Sequence, residues 1–473
     1  MKNFKFNAIT ALIIGVNVAV ANAADGNILN ITTQDAVNAN KTIEATNVKG
    51  PGHTAIGQQN QIYSIPAAEA EESQGSSSAI GNQNVVKGEQ ANAIGDGNDA
   101  YGHFTQSVGD DNKVYADHSL GYGAHNKVGA QRVIGTPEKD VVVDKNTSKA
   151  SVFGLNNEVV GKNVFVAGND NKITDTSTSN ATVIGFGATA SSANATAIGT
   201  AASALANETV AIGQAAKASG QNSNAYGSQA NASGTSSLAV GTGSVASGDS
   251  AVAIGNDSTV TGGSAVAIGA SATSTGKWST ALGDSANAKG EKSVALSKDS
   301  YAKDDNSVAL GSGTITRSAT KENTATVNGI TYSGFAGNTP VAVVSVGSDK
   351  TETYTPPDHS TPGRTVTITP HTRQIINVGA GEISATSTDA INGSQLYMIA
   401  DQVGKNKTRI DNIRARSTDV KVKAGDNINV QEAYDDANQV RTYTVSTTKD
   451  IKADSYTVNN SSVQINQNGI NAG

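Results

Sequence analysis

The sequence predicts a mainly β chain, a solenoid of stacked coils followed by a short coiled coil and a small β-rich module. Three observations predict it. A phrase ending in glycine recurs every fourteen residues through the middle of the chain, large side chains are scarce, and one apolar 3-4 spacing appears near residue 400. The 473 residues include 50 Gly, with 4% aromatic and 16% charged residues. A conventional core needs large apolar side chains; close-stacked coils of small residues do not. The charge content is too low, and the apolar pattern too regular, for simple disorder. A net charge of −7 argues against nucleic acid or anionic lipid as the main partner. The absence of cysteine excludes a disulfide framework and a thiolate zinc site, and it suits a chain exported unfolded.

The elements follow in chain order. Residues 1–23 place Lys2 and Lys5 before an apolar stretch from Ala8 to Val20, then Ala21-Asn22-Ala23. That is the pattern of a signal peptide cleaved after Ala23. Residues 24–54 form an N-terminal cap segment. From 55 to 324 runs the repeat, whose turn glycine falls at 81, 95, 109 and 123, then from 185 to 283 by fourteens, skips to Ser297, and returns at Gly311. Between these blocks the steps through Gly135, Gly154 and Gly168 are irregular and hold loops.

One coil is VAIGQAAKASG. Val210 and Ile212 lie two apart and share a strand face, so they are expected to form the interior, with Ala211 pointing the other way. Gly213 ends the strand, where positive φ costs glycine nothing. The same core-and-turn roles fall to Val252, Ile254 and Gly255, and to Val266, Ile268 and Gly269. At roughly 4.8 Å per coil, the marks from 185 to 311 span on the order of 45 Å. So thin a coil is expected to need neighbouring chains to bury its second face.

Residues 325–395 hold an apolar run, then a proline-rich insertion at 348–371 that reads as a projecting hairpin. At 396–416, Leu396, Ile399, Val403, Asn406, Ile410 and Ile413 step by 3 and 4 and form a coiled-coil seam. Asn406, its polar member, reads either as a buried register-setting residue or as a surface residue of a short helix. Residues 417–473 alternate as strands, with turns at Gly425-Asp426 and Asn468-Gly469.

These residues resemble the trimeric autotransporter adhesins of Gram-negative bacteria, the family of the Yersinia adhesin YadA. SAVAIGNDSTVTG looks like the family's head repeat, and GFAGNTPVAVVSVG with RQIINVGAGEISATSTDAINGSQLY looks like its neck. The resemblance implies a homotrimer, a left-handed parallel β-roll head, a neck with a long insertion at 325–395, and a three-stranded coiled coil. It implies that Asn406 forms an asparagine layer holding an anion such as chloride on the trimer axis, with no other cofactor. It implies a surface adhesin that binds host matrix proteins, host cell receptors or other bacteria. The family's C-terminal membrane anchor is not found before the chain stops at Gly473. The sequence is therefore expected to be a truncated head-and-stalk piece, held to the outer membrane through an anchor outside it.

Enzymatic chemistry is not expected. His118 and His125 lie near acidic residues but on different sides of a coil, and they read as solvated loop residues rather than metal ligands. No G-x-S-x-G elbow has partners, and GTGSVASG is one repeat among many rather than a phosphate loop. The single Trp, Trp278, reads equally as an exposed binding spot or a packed surface aromatic. Two alternatives stand beside the adhesin: a structural spacer of a longer surface fibre, and a secreted β-helix enzyme acting on polysaccharide.

Overall fold

The computed structural model describes residues 53–63, 77–130, 143–356, 364–418, 420–438 and 440–450, with short strands at 16–23, 26–33, 47–48, 132–133, 141–142, 455–457, 464–466 and 469–471. Of the expected signal peptide, residues 1–15 lie outside the described residues, and Val16–Ala23 pairs antiparallel with Gly26–Thr33. The chain forms two compact units, the first from residues 1–322 and 338–374, the second from 323–337 and 375–473. The first therefore takes in most of the segment that the sequence reading gave to the neck.

The first unit is a parallel β-solenoid. Each coil gives one strand to sheet 1, which runs from Thr54–Gln58 to Val308–Leu310 and ends on Val344–Ser345. It gives a second, shorter strand to sheet 2, which runs from Asn47–Val48 to Tyr301–Ala302. Each strand pairs with its equivalents in the coils before and after, as in Val252↔Val266, Ala253↔Ala267 and Ile254↔Ile268.

The interior is the reverse of the expected one. Ala211, Ala253 and Ala267 are fully buried, whereas Ile212 and Ile268 keep 36% and 38% of their surface exposed. Val210, Val252 and Val266 lie beside them on the outward face, as does Ile254. Strand alternation separates two faces without saying which is inner. In these coils the sheets close on alanine from both sides, while other coils bury a valine such as Val183 or Val260 at the inward place. Ala216 and Ala218 of sheet 2 meet Ala211 across a gap that methyl groups fill. The β-branched residues go outside, where they suit a pleated surface.

Gly213, Gly255 and Gly269 have φ of +136°, +133° and +136°. A Cβ on Gly255 would stand 2.4 Å from the carbonyl oxygen of Gly269, so the stacking as well as the dihedral demands glycine. Ser297 occupies the same place with φ +99°, a conformation that costs a side-chain-bearing residue about 1–3 kcal/mol. Ser297→Gly is expected to stabilise the solenoid by about 1 kcal/mol after the entropy cost of glycine, read as a higher denaturant midpoint at unchanged slope.

The coils from residue 57 to 171 are built differently from the later ones. Their sheet 1 strands run five residues, through the glycine. The residue three after that glycine is asparagine: Asn60, Asn84, Asn98, Asn112, Asn126, Asn157 and Asn171, all fully buried. Each Oδ1 accepts from the backbone N–H of the residue three after the next coil's glycine, as Asn98 Oδ1 does from Asn112 N–H at 3.2 Å. Each Nδ2 of the next coil also donates to it, at 3.0 Å from Asn112 to Asn98. The ladder ends where Asn171 Oδ1 accepts from Ala188 N–H. From there on, Ala or Ser stands at that place in most coils, and the backbone N–H turns to the preceding glycine carbonyl, as Ala216 N–H does to Gly213 at 3.3 Å.

The irregular region inserts into this stack without breaking it. Gly123 pairs with Gly154, so Gly135 is not a turn glycine of the ladder; it lies outside the described residues. At the last coil the insertion does not project. Its hairpin, Glu352–Tyr354 with Val366–Ile368, buries Val366 and Ile368 against Tyr301 and Ile315. Arg373 donates to Thr314 Oγ1 at 2.9 Å and to the carbonyls of Val346 and Ser312, closing the open end of the roll.

In the second unit, Thr324–Val327 pairs with Ile330–Ser333, and helix α1 spans Gly393–Thr418. After it, Ile428–Asp435 pairs with Val440–Thr447, and Ser455–Thr457, Gln464–Asn466 and Gly469–Asn471 form a three-stranded sheet.

Candidate assembly and binding faces

The outward face of sheet 1 is apolar along the length of the roll. Every coil from Ile56 to Leu310 puts an apolar residue just before its turn residue, and the register stacks these into one column. In the coils from Val210 on, the parallel column two residues earlier is mostly Val and Leu. Tyr122, Leu282 and Leu310 are 55%, 47% and 46% exposed. A ridge of this length exceeds what a soluble monomer ordinarily shows to water. The outward face of sheet 2 differs: its coils present Ser219, Ser233, Ser247, Thr261 and Thr275 in one column. The roll thus has one face suited to packing and one suited to solvent.

Some charges at and beside sheet 2 are paired locally. Lys303 Nζ lies 2.8 Å from Glu352 and ties the docked hairpin to the roll. Partial burial alone would raise the Glu352 carboxyl, but the hydrogen bonds and charges of Lys303 and Lys350 outweigh it and hold it below its usual range. Tyr115 donates to Asp99 at 2.6 Å, and burial pushes both that phenol and the Asp99 carboxyl upward.

Helix α1 begins at a capping box. Asn392 Oδ1 accepts from the backbone N–H of Ser394 and Gln395, while Gln395 Oε1 accepts from Asn392 N–H at 3.1 Å. The same Gln395 bonds both the N–H and the carbonyl of Gly381, holding the preceding loop to the helix start. None of these roles was read from the sequence, although N-x-x-Q before an apolar stripe was a visible signal. Leu396, Ile399, Val403, Ile410 and Ile413 all lie exposed on the helix, at 51–67%. Asn406 Oδ1 accepts from Gln402 Nε2 at 2.9 Å.

Among the described residues no group of three or more His, Asp or Glu side chains could hold a metal ion. His118 instead stacks on Phe104, with ring centroids 5.0 Å apart. No helix among the described residues is long and apolar enough to cross a membrane.

A family model described as the YadA head domain repeat matches successive segments from 179–202 to 298–314. It begins just after the asparagine ladder ends. A second, described as the coiled stalk of trimeric autotransporter adhesin, matches residues 374–419. The chain is 40% identical over 77 residues to the autotransporter adhesin BtaE of Brucella suis biovar 1, covering 16% of this chain and 8% of that protein. It is 36% identical over 115 residues to the trimeric autotransporter adhesin AtaA of Acinetobacter sp. strain Tol 5, covering 18% of this chain and 3% of that protein. The chain thus spans under a tenth of these relatives' length. A solved C-terminal YadA-like domain from Burkholderia pseudomallei is 35% identical, covers 32% of this chain and 60% of its own, and superposes with a TM-score of 0.23. Head repeats and stalk segment are matched in the order in which the roll and helix α1 occur, and over these segments the chain is similar to the YadA-like trimeric autotransporter adhesins.

Proposed function

We propose that three copies of this chain assemble through the apolar face of sheet 1 and the seam of helix α1, and that the trimer is a surface adhesin of a Gram-negative cell. Its targets are host matrix proteins, host cell receptors or other bacteria. The unbroken apolar column from Ile56 to Leu310 carries this reading, because it needs a long partner of identical spacing, and a second copy has it by construction. The exposed seam at Leu396, Ile399, Val403, Ile410 and Ile413 supports it independently. A repetitive polar face, three times over, favours many weak contacts above one tight pocket.

In that trimer, Asn406 of each helix would meet on the axis and hold an anion such as chloride. A polar seam residue costs stability, so Asn406→Ile is expected to raise the melting temperature of the stalk and remove its dependence on chloride. Adhesion itself is tested by the trimer's binding to immobilised collagen, fibronectin, host cells and bacteria. Binding to none of them would favour the spacer. Turnover of a polysaccharide panel would bring back the enzyme.

A further inference from the structure

We propose that Trp278, Lys277 and Lys292 form a subsite on the head for a negatively charged sugar, sulfated or carboxylated, of a host glycan. The proposal rests on the adhesin reading and names the chemistry of its ligand. Trp278 is the only tryptophan of the chain. It stands at the turn leading from sheet 2 to sheet 1, in the left-handed region with φ +57°. The coils before it use Ser236, Ser250 and Ser264 there, short residues that suit a tight turn. An indole in that conformation is costly and packs little in return, since 47% of it remains exposed.

Two ammonium groups attend the ring. Lys277 Nζ lies 4.0 Å from its centroid, and Lys292 Nζ, one coil further on, lies 5.1 Å away. Lys292 also reaches Glu291 at 3.0 Å, while Lys277 has no carboxylate within ion-pair range among the described residues. One coil before Lys277 stands Gly263, where a Cβ would meet nothing nearer than 3.9 Å, so no side chain stands at that place beside Lys277.

An indole face takes the C–H face of a pyranose, and a lysine pair takes a sulfate or carboxylate. An anionic sugar uses both at once. Its charge draws Lys277 off the ring, and the vacated face stacks on the sugar. A neutral sugar offers no charge to displace the lysine. Each subsite is weak alone; three in a trimer bind a polymeric glycan together.

Because Trp278 is the only indole, its fluorescence reports the subsite directly. The full chain is titrated with heparin, polysialic acid and neutral dextran, with acrylamide quenching measured at each point. Heparin or polysialic acid is expected to shift the emission and cut quenching at least twofold, an effect lost at high salt, while dextran does nothing. Response to heparin alone assigns a sulfated sugar, and to polysialic acid alone a carboxylated one. Trp278→Ser, which restores the residue of neighbouring coils, is expected to keep the fold and lose at least tenfold in affinity for the responding glycan. Lys277→Gln is expected to lose a similar amount without removing the fluorophore. Emission unresponsive to both glycans, or a Trp278→Ser variant that binds as the native chain does, overturns the proposal. The solution mass is measured alongside: a monomer that still responds sinks the trimer and keeps the subsite.

Discussion

Ile254→Asp with Ile268→Asp is expected to turn the proposed trimer into a folded monomer at micromolar concentration. Both side chains stand on the outward column of sheet 1, in adjacent coils and in direct register. Neither fills the roll's own interior, which Ala253 and Ala267 occupy. The coil itself should therefore survive, with far-ultraviolet circular dichroism unchanged. In the proposed assembly each isoleucine would contribute roughly 1.5–3 kcal/mol by leaving water, and a carboxylate in its place would add the cost of desolvating an unpaired charge. With three protomers the pair places six charges along one interface. Light scattering after size exclusion reads the outcome. A trimer that persists would mean that sheet 1 faces solvent and that the helix alone holds the chains together. The corresponding change on sheet 2, Ser233→Asp with Ser247→Asp, is expected to leave the mass untouched.

How much of this was legible depends on which symmetry the residues break. The period of fourteen is visible because Gly213, Gly255 and Gly269 each need positive φ and a neighbour's carbonyl within contact of a missing Cβ; only glycine meets both demands. The 3-4 seam of α1 is visible for the same kind of reason. Inside and outside were not legible. Val210-Ala211-Ile212 alternates perfectly, and alternation is unchanged when the two faces are exchanged. The larger side chains of each Val-Ala-Ile strand go outward here, although Val183 and Val260 fill the inward place in other coils, so size alone does not give the answer from the sequence. The docking of the proline-rich hairpin was hidden because Tyr354 and Ile368 meet Tyr301 and Ile315 only through the last coil's position in space. The asparagine ladder was legible and missed. G-x-x-N stands at Gly57, Gly81, Gly95, Gly109, Gly123, Gly154 and Gly168, but it emerges only when a second position is aligned on the repeat. The same alignment separates two kinds of coil within one roll.

That ladder sets the largest single-residue effect expected on stability. Asn112→Ala should destabilise the roll by about 3–5 kcal/mol, through several buried polar groups left unpaired at roughly 1–3 kcal/mol each. Asn112 Oδ1 accepts from Asn126 N–H at 3.1 Å and from Asn126 Nδ2 at 2.8 Å. Its own Nδ2 donates to Asn98 Oδ1, to the carbonyl of Val108 and, at 2.8 Å, to that of Gly123. Asn98, Asn112 and Asn126 are fully buried, so the orphaned Asn126 N–H has no substitute partner, while the Val108 and Gly123 carbonyls belong to partly exposed residues. Alanine is native at the matching place in later coils, yet it is not equivalent here. Those coils return the N–H to their own glycine carbonyl, as Ala216 does to Gly213, whereas the strand Gln106–Asp110 runs straight through Gly109 and pairs on both sides. Asn98→Ala combined with Asn112→Ala should cost clearly less than the two separately, because they share the bond between them. Chemical denaturation of the single and double variants tests both statements. A loss under 1 kcal/mol for Asn112→Ala would show that water enters the coil and that the ladder only lines it.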